Sequence, residues 1–352
     1  MSSHELNGNP WSLVTGGAGF IGSHVAAECV RLGHHTVVLD DLSGGFLDHV
    51  PEAATFVEGS VTDPALLAAL FAQYRFDYVY HLAAYAAEGL SHFIRRHNYL
   101  TNLVGTVNLV NEAVKAGTKR FVFTSSIAVY GKNQLPMTED LAPRPEDPYG
   151  VSKYAAELDL AAAHDFFGLN YTVFRPHNVY GEHQNLGDPY RNVLGIFMNQ
   201  ILDGQPMTIF GDGQQTRAFS YVDDVAPHIA RTVHNPAARN EVINIGADKP
   251  YTINELARVV AATFGVEPFI QHLAARDEVV DAYASHEKAA RLLGAGPCVS
   301  LEEGVDRMAR WARHVGCRKT KPFQNIEVLT KLPPSWRTLN ETPAGWTAEK
   351  LA

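Results

Sequence analysis
Along this chain, short apolar runs alternate with stretches in which apolar residues recur at helical spacing. Trp11–Thr15, Thr36–Asp40, Thr55–Glu58, Tyr78–Ala84, Phe121–Thr124, Asn170–Phe174 and Val242–Gly246 are the short runs, and each predicts a buried strand. Val25, Ala26, Cys29 and Leu32 mark one helix, closed by Gly33. Pro64–Tyr74 marks a second, with Pro64 suited to its first position and Asp63 to its N-cap. A third helix carries Asn98 and Asn102, a fourth begins at Tyr149, and two more are expected near Asn254–Phe264 and Leu301–His314. Strands alternating with helices in this way predict an α/β fold, a doubly wound parallel sheet. Residues 318–352 hold Pro322, Pro333, Pro334 and Pro343 with little periodicity and predict an extension beyond the folded core.

The first strand runs into Gly16, Gly17, Gly19 and Gly22 and then into a helix. Glycines in a strand–turn–helix context let the backbone approach a pyrophosphate at the helix N-terminus. Asp40 ends the next strand, 18 residues after Gly22. A carboxylate there accepts hydrogen bonds from ribose hydroxyls and repels a 2′-phosphate, which favours NAD over NADP. Downstream, Tyr149 and Lys153 are four residues apart and share one helix face. An ammonium held beside a phenol favours the phenolate and draws its pKa toward working pH, making a general base. Ser126 stands at the end of the strand just upstream.

Composition narrows the functional classes. With 352 residues and 46% of them hydrophobic, the chain can bury one large core or two joined ones. A net charge of -9 with mixed signs and no basic block argues against nucleic acid as a partner. No apolar run reaches membrane-spanning length, and Met1–Pro10 is polar without a signal-peptide pattern. Cys29, Cys298 and Cys317 are scattered, without metal-site spacing, so no metal is expected and a cytoplasmic location is.

Seven motifs together carry a resemblance: TGGAGFIG at 15–22, LDDLSGG at 39–45, HLAA at 81–84, SSIAVYG at 125–131, YGVSK at 149–153, RPHNVYG at 175–181 and IFGDGQQTRAFSYVDD at 209–224. From about Leu13 to Trp311 the chain resembles the extended short-chain dehydrogenase/reductases, and within them the nucleotide-sugar epimerase/dehydratases typified by UDP-galactose 4-epimerase. The resemblance implies a Rossmann-type NAD domain over 1–175 with returning segments near 216–246, a smaller α/β substrate lobe over 176–317, and an extension over 318–352. It implies Ser126, Tyr149 and Lys153 as the catalytic set. NAD contacts are expected from Gly16, Gly19, Phe20, Ile21 and Gly22 in the first turn, and from Asp40, Asp41, Ser43 and Gly44 after the second strand. Further contacts are expected from Ser60 and Val61, from Leu82, Ala83 and Ala84, and from Thr124, Tyr149, Lys153 and Pro176. Asn102 either joins them by bracing Lys153 or faces solvent. On the substrate side, besides Ser126 and Tyr149, the resemblance implies Asn178, Asn192, Arg217 and Arg276 toward the diphosphate, and Ile209 and Phe210 beside the base.

The implied reaction is reversible oxidation of a nucleotide sugar at C4, through a 4-keto sugar, with NAD retained. Dehydratases of this family carry an Asp-Glu pair after the catalytic hydroxyl, where this chain has Ile127 and Ala128. A dehydratase, 3,5-epimerase or reductase, or a non-catalytic NAD-sensing protein, are the alternatives. Departures from the pattern fall at Ser60, Ala86, Val279 and Ala282, and at His177, which is either a packed loop residue or a catalytic one. The family's pairing of helices near 99–116 and 149–167 implies a homodimer.

Overall fold
The computed structural model describes residues 8–275, 279–316 and 323–340. Its organising element is a seven-stranded sheet. Strands β1 (Trp11–Thr15), β2 (His35–Asp40), β3 (Thr55–Glu58), β4 (Tyr78–His81), β5 (Arg120–Thr124) and β6 (Tyr171–Pro176) are joined by Glu241–Ile245. All pairings are parallel, in the order Glu241–Ile245, β6, β5, β4, β1, β2, β3. The order reverses between β1 and β4, and a ligand crevice forms beyond the strand ends at such a switch point. Strand β4 stops at His81, so Leu82–Ala84, expected within it, leave the sheet as a loop across that crevice.

Apolar runs on both faces of the strands divide the core in two. One half packs α1 (Phe20–Arg31), the Ala226–Arg231 helix and the substrate lobe against Val14, Val38 and Phe174. The other packs α2 (Pro64–Tyr74) and the Gly105–Ala116 and Pro148–Phe167 helices against Leu13, Phe121 and Val173. Asp63 caps α2 as its sequence predicts, accepting from the N–H groups of Ala65 and Leu66 at 3.0 and 3.1 Å. The substrate lobe adds the Val193–Leu202, Ile253–Phe264 and Leu301–Val315 helices and, among the described residues, three small sheets, one pairing Met207–Phe210 with Ile270–Leu273.

The Pro148–Phe167 helix is delimited by its sequence. Asp147 accepts from the Gly150 N–H at 2.9 Å, Pro148 fills the first turn, and Gly168 closes the helix at φ +76°. Tyr149, Lys153 and Glu157 follow at four-residue spacing, and all three are buried. Glu157 accepts from Ser125 Oγ at 2.5 Å on β5's end and from Arg175 Nε and Nη2 at 3.0 and 2.5 Å on β6. Arg175 also lies over the Tyr130 ring at 4.7 Å, and Tyr130 donates to Asn244 Oδ1 in the last strand at 2.8 Å.

The described part of the extension, read from sequence as lying beyond the folded core, packs onto that core. Pro334–Asn340 is a helix, and Leu332 and Trp336 are buried against Ala87, Leu90, Ile94 and Tyr190.

Removing one member of a buried ion pair leaves an unpaired charge, at a cost of about 3–5 kcal/mol. Glu157→Ala is therefore expected to lower the free energy of unfolding by that order, read from the midpoint of urea denaturation followed by circular dichroism.

Candidate active site
The crevice opens into a cavity of about 1410 Å³, lined from the glycine turn through Ser126, Tyr149 and Lys153 to Ile209, Phe210 and Arg217. It exceeds the roughly 300–1000 Å³ of a pocket for one drug-sized ligand, so its size suits two ligands.

At one end the glycines determine how close a ligand comes. Gly16 has φ +69°, and a Cβ there would sit 2.6 Å from the Ala83 nitrogen on the neighbouring loop. A Cβ on Gly22 would overlap the Gly16 carbonyl. Only glycine lets this turn, the β4 loop and the start of α1 meet. Gly19 caps α1 with no side-chain bond, leaving the first helical N–H groups for a ligand. Asp40 Oδ2 accepts from the Ala18 N–H at 3.0 Å and Oδ1 from the Leu42 N–H at 2.8 Å. Burial outweighs these bonds and raises its pKa. Phe20, Ile21, Asp41, Ser43, Gly44, Ser60, Val61, Leu82, Ala83, Ala84 and Pro176 also line this end. Thr124 lines it too, and its buried Oγ1 has no hydrogen-bond partner among the described residues.

Asn102 does not face the cavity. It sits fully buried in a π turn, Leu100–Val104, where its side chain accepts from the Tyr85 N–H at 2.8 Å and donates to Tyr85 O and Asn98 Oδ1. It does not meet solvent, and its side chain secures the loop after β4. Lys153 donates to the Thr124 carbonyl at 2.8 Å.

The electrostatics of the catalytic pair also differ from the sequence expectation. Lys153 Nζ is 5.9 Å from the centre of the Tyr149 ring. Burial, with Asp147 and Glu88 nearby, pushes the Tyr149 phenol well above its usual range, against the Ser126 side chain and Arg191, which favour the phenolate. Burial also draws Lys153 down to about 7, with the Glu157 carboxylate opposing. Desolvation is the dominant cause for both groups.

On the opposite wall, Asn178 and Asn192 line the cavity at φ +39° and +58°. Arg217 is held by backbone, donating to the carbonyls of Thr216, Val280 and Val279. Arg276 lies outside the described residues. His177 lines the cavity but is locked: its Nδ1 faces the Ala218 carbonyl at 3.0 Å, and its Nε2 faces His286 Nε2 at 3.0 Å. Burial, followed by His286, lowers His177 to about 3, so it is a neutral packed residue with its Nδ1–H donated to Ala218. Ile127, Ala128, Ala86, Val279 and Ala282 are all on the cavity wall.

The sequence reading missed Glu157 and Arg191. Glu157 continues the Tyr149–Lys153 spacing, a signal open to inspection. Arg191, half-buried in the cavity wall, pairs with Asp188 at 2.7 Å and stacks on Tyr85, and its sequence surroundings carry no mark of this.

The lowered pKa of Lys153 makes a stability prediction. Between about 7 and the ordinary 10.5, the unfolded chain binds a proton that the folded chain does not. Stability of the cofactor-free protein then rises with pH across that window, by at most about 1.4 kcal/mol per unit from this group. Lys153→Met is expected to be more stable than the parent at pH 6, with the gap closing toward pH 10, in urea denaturation at a series of pH values.

Known proteins align over most of this architecture. Residues 12–246 match the model of the NAD dependent epimerase/dehydratase family. The chain is 34% identical over 307 residues to a putative UDP-glucose 4-epimerase of Methanocaldococcus jannaschii, covering 86% of this chain and 98% of that one. It is 31% identical over 333 residues to a UDP-glucuronate 4-epimerase of Thermodesulfobacterium geofontis, covering 91% and 98%. The solved structure of UDP-glucose 4-epimerase with UDP-glucose from Thermotoga maritima superposes with a TM-score of 0.82 at 36% identity, over 87% of this chain and 99% of that one. With its parallel sheet, glycine turn and Ser126–Tyr149–Lys153 constellation, this chain belongs to the NAD-dependent epimerase/dehydratase family, whose cofactor is NAD.

Proposed function
We propose that the protein epimerises a UDP-linked hexose at C4 through a transient 4-keto sugar, its substrate being UDP-glucose/UDP-galactose or a relative modified at C2 or C6. The observation that carries this reading is the convergence of Ser126, Tyr149 and Lys153 on one cavity whose neighbouring wall is the apolar pair Ile127 and Ala128. Those two side chains offer no acid or base for eliminating water, which disfavours a dehydratase. NAD fits the other end: the Gly16 cradle excludes a Cβ, the start of α1 is uncapped by side chains, and Thr124 Oγ1 lacks a partner among the described residues. Bound there, NAD supplies a reversible two-electron acceptor.

The chain's own residues then divide the work. Tyr149 takes and returns the proton of the sugar 4-OH, and Ser126 hydrogen-bonds the same oxygen. Lys153, tethered to Thr124 O, would help hold the cofactor and, when protonated, would favour the phenolate of Tyr149. Asp40 holds a carboxyl at the adenosine end and disfavours a 2′-phosphate. Asn178, Asn192 and Arg217 face the diphosphate, with Ile209 and Phe210 beside the base.

We also infer a homodimer. Leu100 and Val104 beside the Gly105–Ala116 helix, and Val151 and Leu158 on the adjoining Pro148–Phe167 helix, are between 38% and 55% exposed. Exposed apolar side chains aligned on two packed helices suit burial against a second copy. Among the described residues, no helix is long and apolar enough to cross a membrane.

Purified protein without added cofactor, incubated separately with UDP-glucose, UDP-N-acetylglucosamine and UDP-glucuronate, is expected to build up one 4-epimer to a stable ratio in anomeric-proton NMR. No change in any sample, even with NAD supplied, would sink the reading. Tyr149→Phe is expected to lower kcat by about 10²–10⁴. Sedimentation equilibrium at micromolar concentration should give twice the chain mass, and Leu158→Glu should give the monomer; a monomeric parent protein rejects the pairing.

A further inference from the structure
The segment Phe323–Asn340 is built onto the active-site wall. Its Glu327 carboxylate accepts from the Arg96 and His97 N–H groups at 2.8 and 2.9 Å, and its backbone N–H groups at Glu327 and Val328 donate to Phe93 O. Against the cost of its slight burial, those two amides and the charges of Arg96 and His97 hold Glu327 below the usual carboxylate range. Phe323 packs on Tyr85 and His97, while Trp336 meets Phe93 and Tyr190 edge-on. Between these anchors, Thr330–Trp336 line the same cavity as Tyr149.

The end of the cavity they cover follows from their neighbours. Leu332 and Trp336 pack on Ala87 and Leu90, which flank Glu88, and on Tyr190, which precedes Arg191. Glu88 and Arg191 are both near enough to Tyr149 to act on its phenol. The segment therefore walls the catalytic end, away from Ile209 and Phe210. Lys331 stands at its turn with φ +63°, on the cavity wall, with no hydrogen-bond or ion-pair partner among the described residues. A non-glycine residue in left-handed backbone is uncommon and recurs at ligand-contacting sites.

We propose that Phe323–Asn340 is a specificity element of this active site, placing the Lys331 ammonium against an anionic oxygen of the substrate. The proposal rests on the nucleotide-sugar reading above. Two groups of such a substrate carry that chemistry, a carboxylate on the sugar and the diphosphate. Leu332 and Trp336 fasten the segment, and Glu327, outside the cavity lining, is its positioning residue.

The test is calorimetric titration of the full-length protein, as purified with its cofactor, with UDP, UDP-glucose and UDP-glucuronate. A lost charge-assisted contact weakens binding by about tenfold or more. Lys331→Ala is expected to weaken UDP-glucuronate alone if the partner is the carboxylate, and all three ligands alike if it is the diphosphate. Glu327→Ala should weaken the same ligands by several-fold, with the unfolding midpoint showing that the variant is folded. Binding of all three ligands within about twofold of the parent in both variants overturns the proposal and leaves the epimerase reading standing. Failure of the parent protein to bind any of the three overturns the nucleotide-sugar reading and the proposal with it.

Discussion
The buried carboxylate of Glu157 is the constraint from which the catalytic geometry descends. It holds Ser125 and Arg175, on two adjacent strands, to one position on the Pro148–Phe167 helix. A slide of that helix by one residue would strand a charged pair in the core, at a cost comparable to much of a domain's net stability. Tyr149 and Lys153 stand two turns and one turn before Glu157 on the same face, so the register that satisfies the ion pair also delivers them to the cavity. Through Tyr130 and Asn244 the network reaches the final strand, which ties the returning segment of the chain to the same frame.

Burial, rather than pairwise attraction, dominates the charge state of this site. Tyr149 is held protonated, Lys153 is drawn toward neutrality, and His81 and His177 are neutral at physiological pH. Protein interiors penalise any charge that lacks a close partner. A charged cofactor and a diphosphate sugar bring the missing partners. In the proposed reaction the proton-transfer strength of Tyr149 is thus a property of the loaded site, and the protein's share is to position the phenol, the serine and the lysine.

The cavity is assembled from parts far apart in the chain. A glycine turn at its start, a loop after β4, the Tyr149 helix, the substrate lobe and a segment beyond residue 322 all contribute wall. The dinucleotide end is built from backbone and rigid strand ends, which suits a ligand common to many relatives. The catalytic end is closed partly by side chains of the late segment, which leaves substrate choice to a region outside the sheet.

The sheet, the glycine turn and the shared helix face of Tyr149 and Lys153 were legible in the chain, because each depends on local spacing. Alternating strand and helix patterns, glycines before a helix and a four-residue tyrosine–lysine interval are all short-range signals. The helix limit at Asp63 was equally legible, since caps act within one turn. Tertiary structure alone decided the rest. Asn102 reads on its helix as a brace for Lys153 or a solvent-facing residue, yet it is buried in a π turn with its side chain on the Tyr85 backbone. His177 is occupied by Ala218 and by His286, residues 41 and 109 positions away, which no local pattern announces. Residues 323–340 lack periodicity because their apolar side chains do not line one continuous helix face; Leu332 and Trp336 are buried only because another part of the chain offers them a groove. The relative weight of desolvation and attraction at Tyr149 and Lys153 likewise depends on depth, a quantity that exists only once the chain has folded.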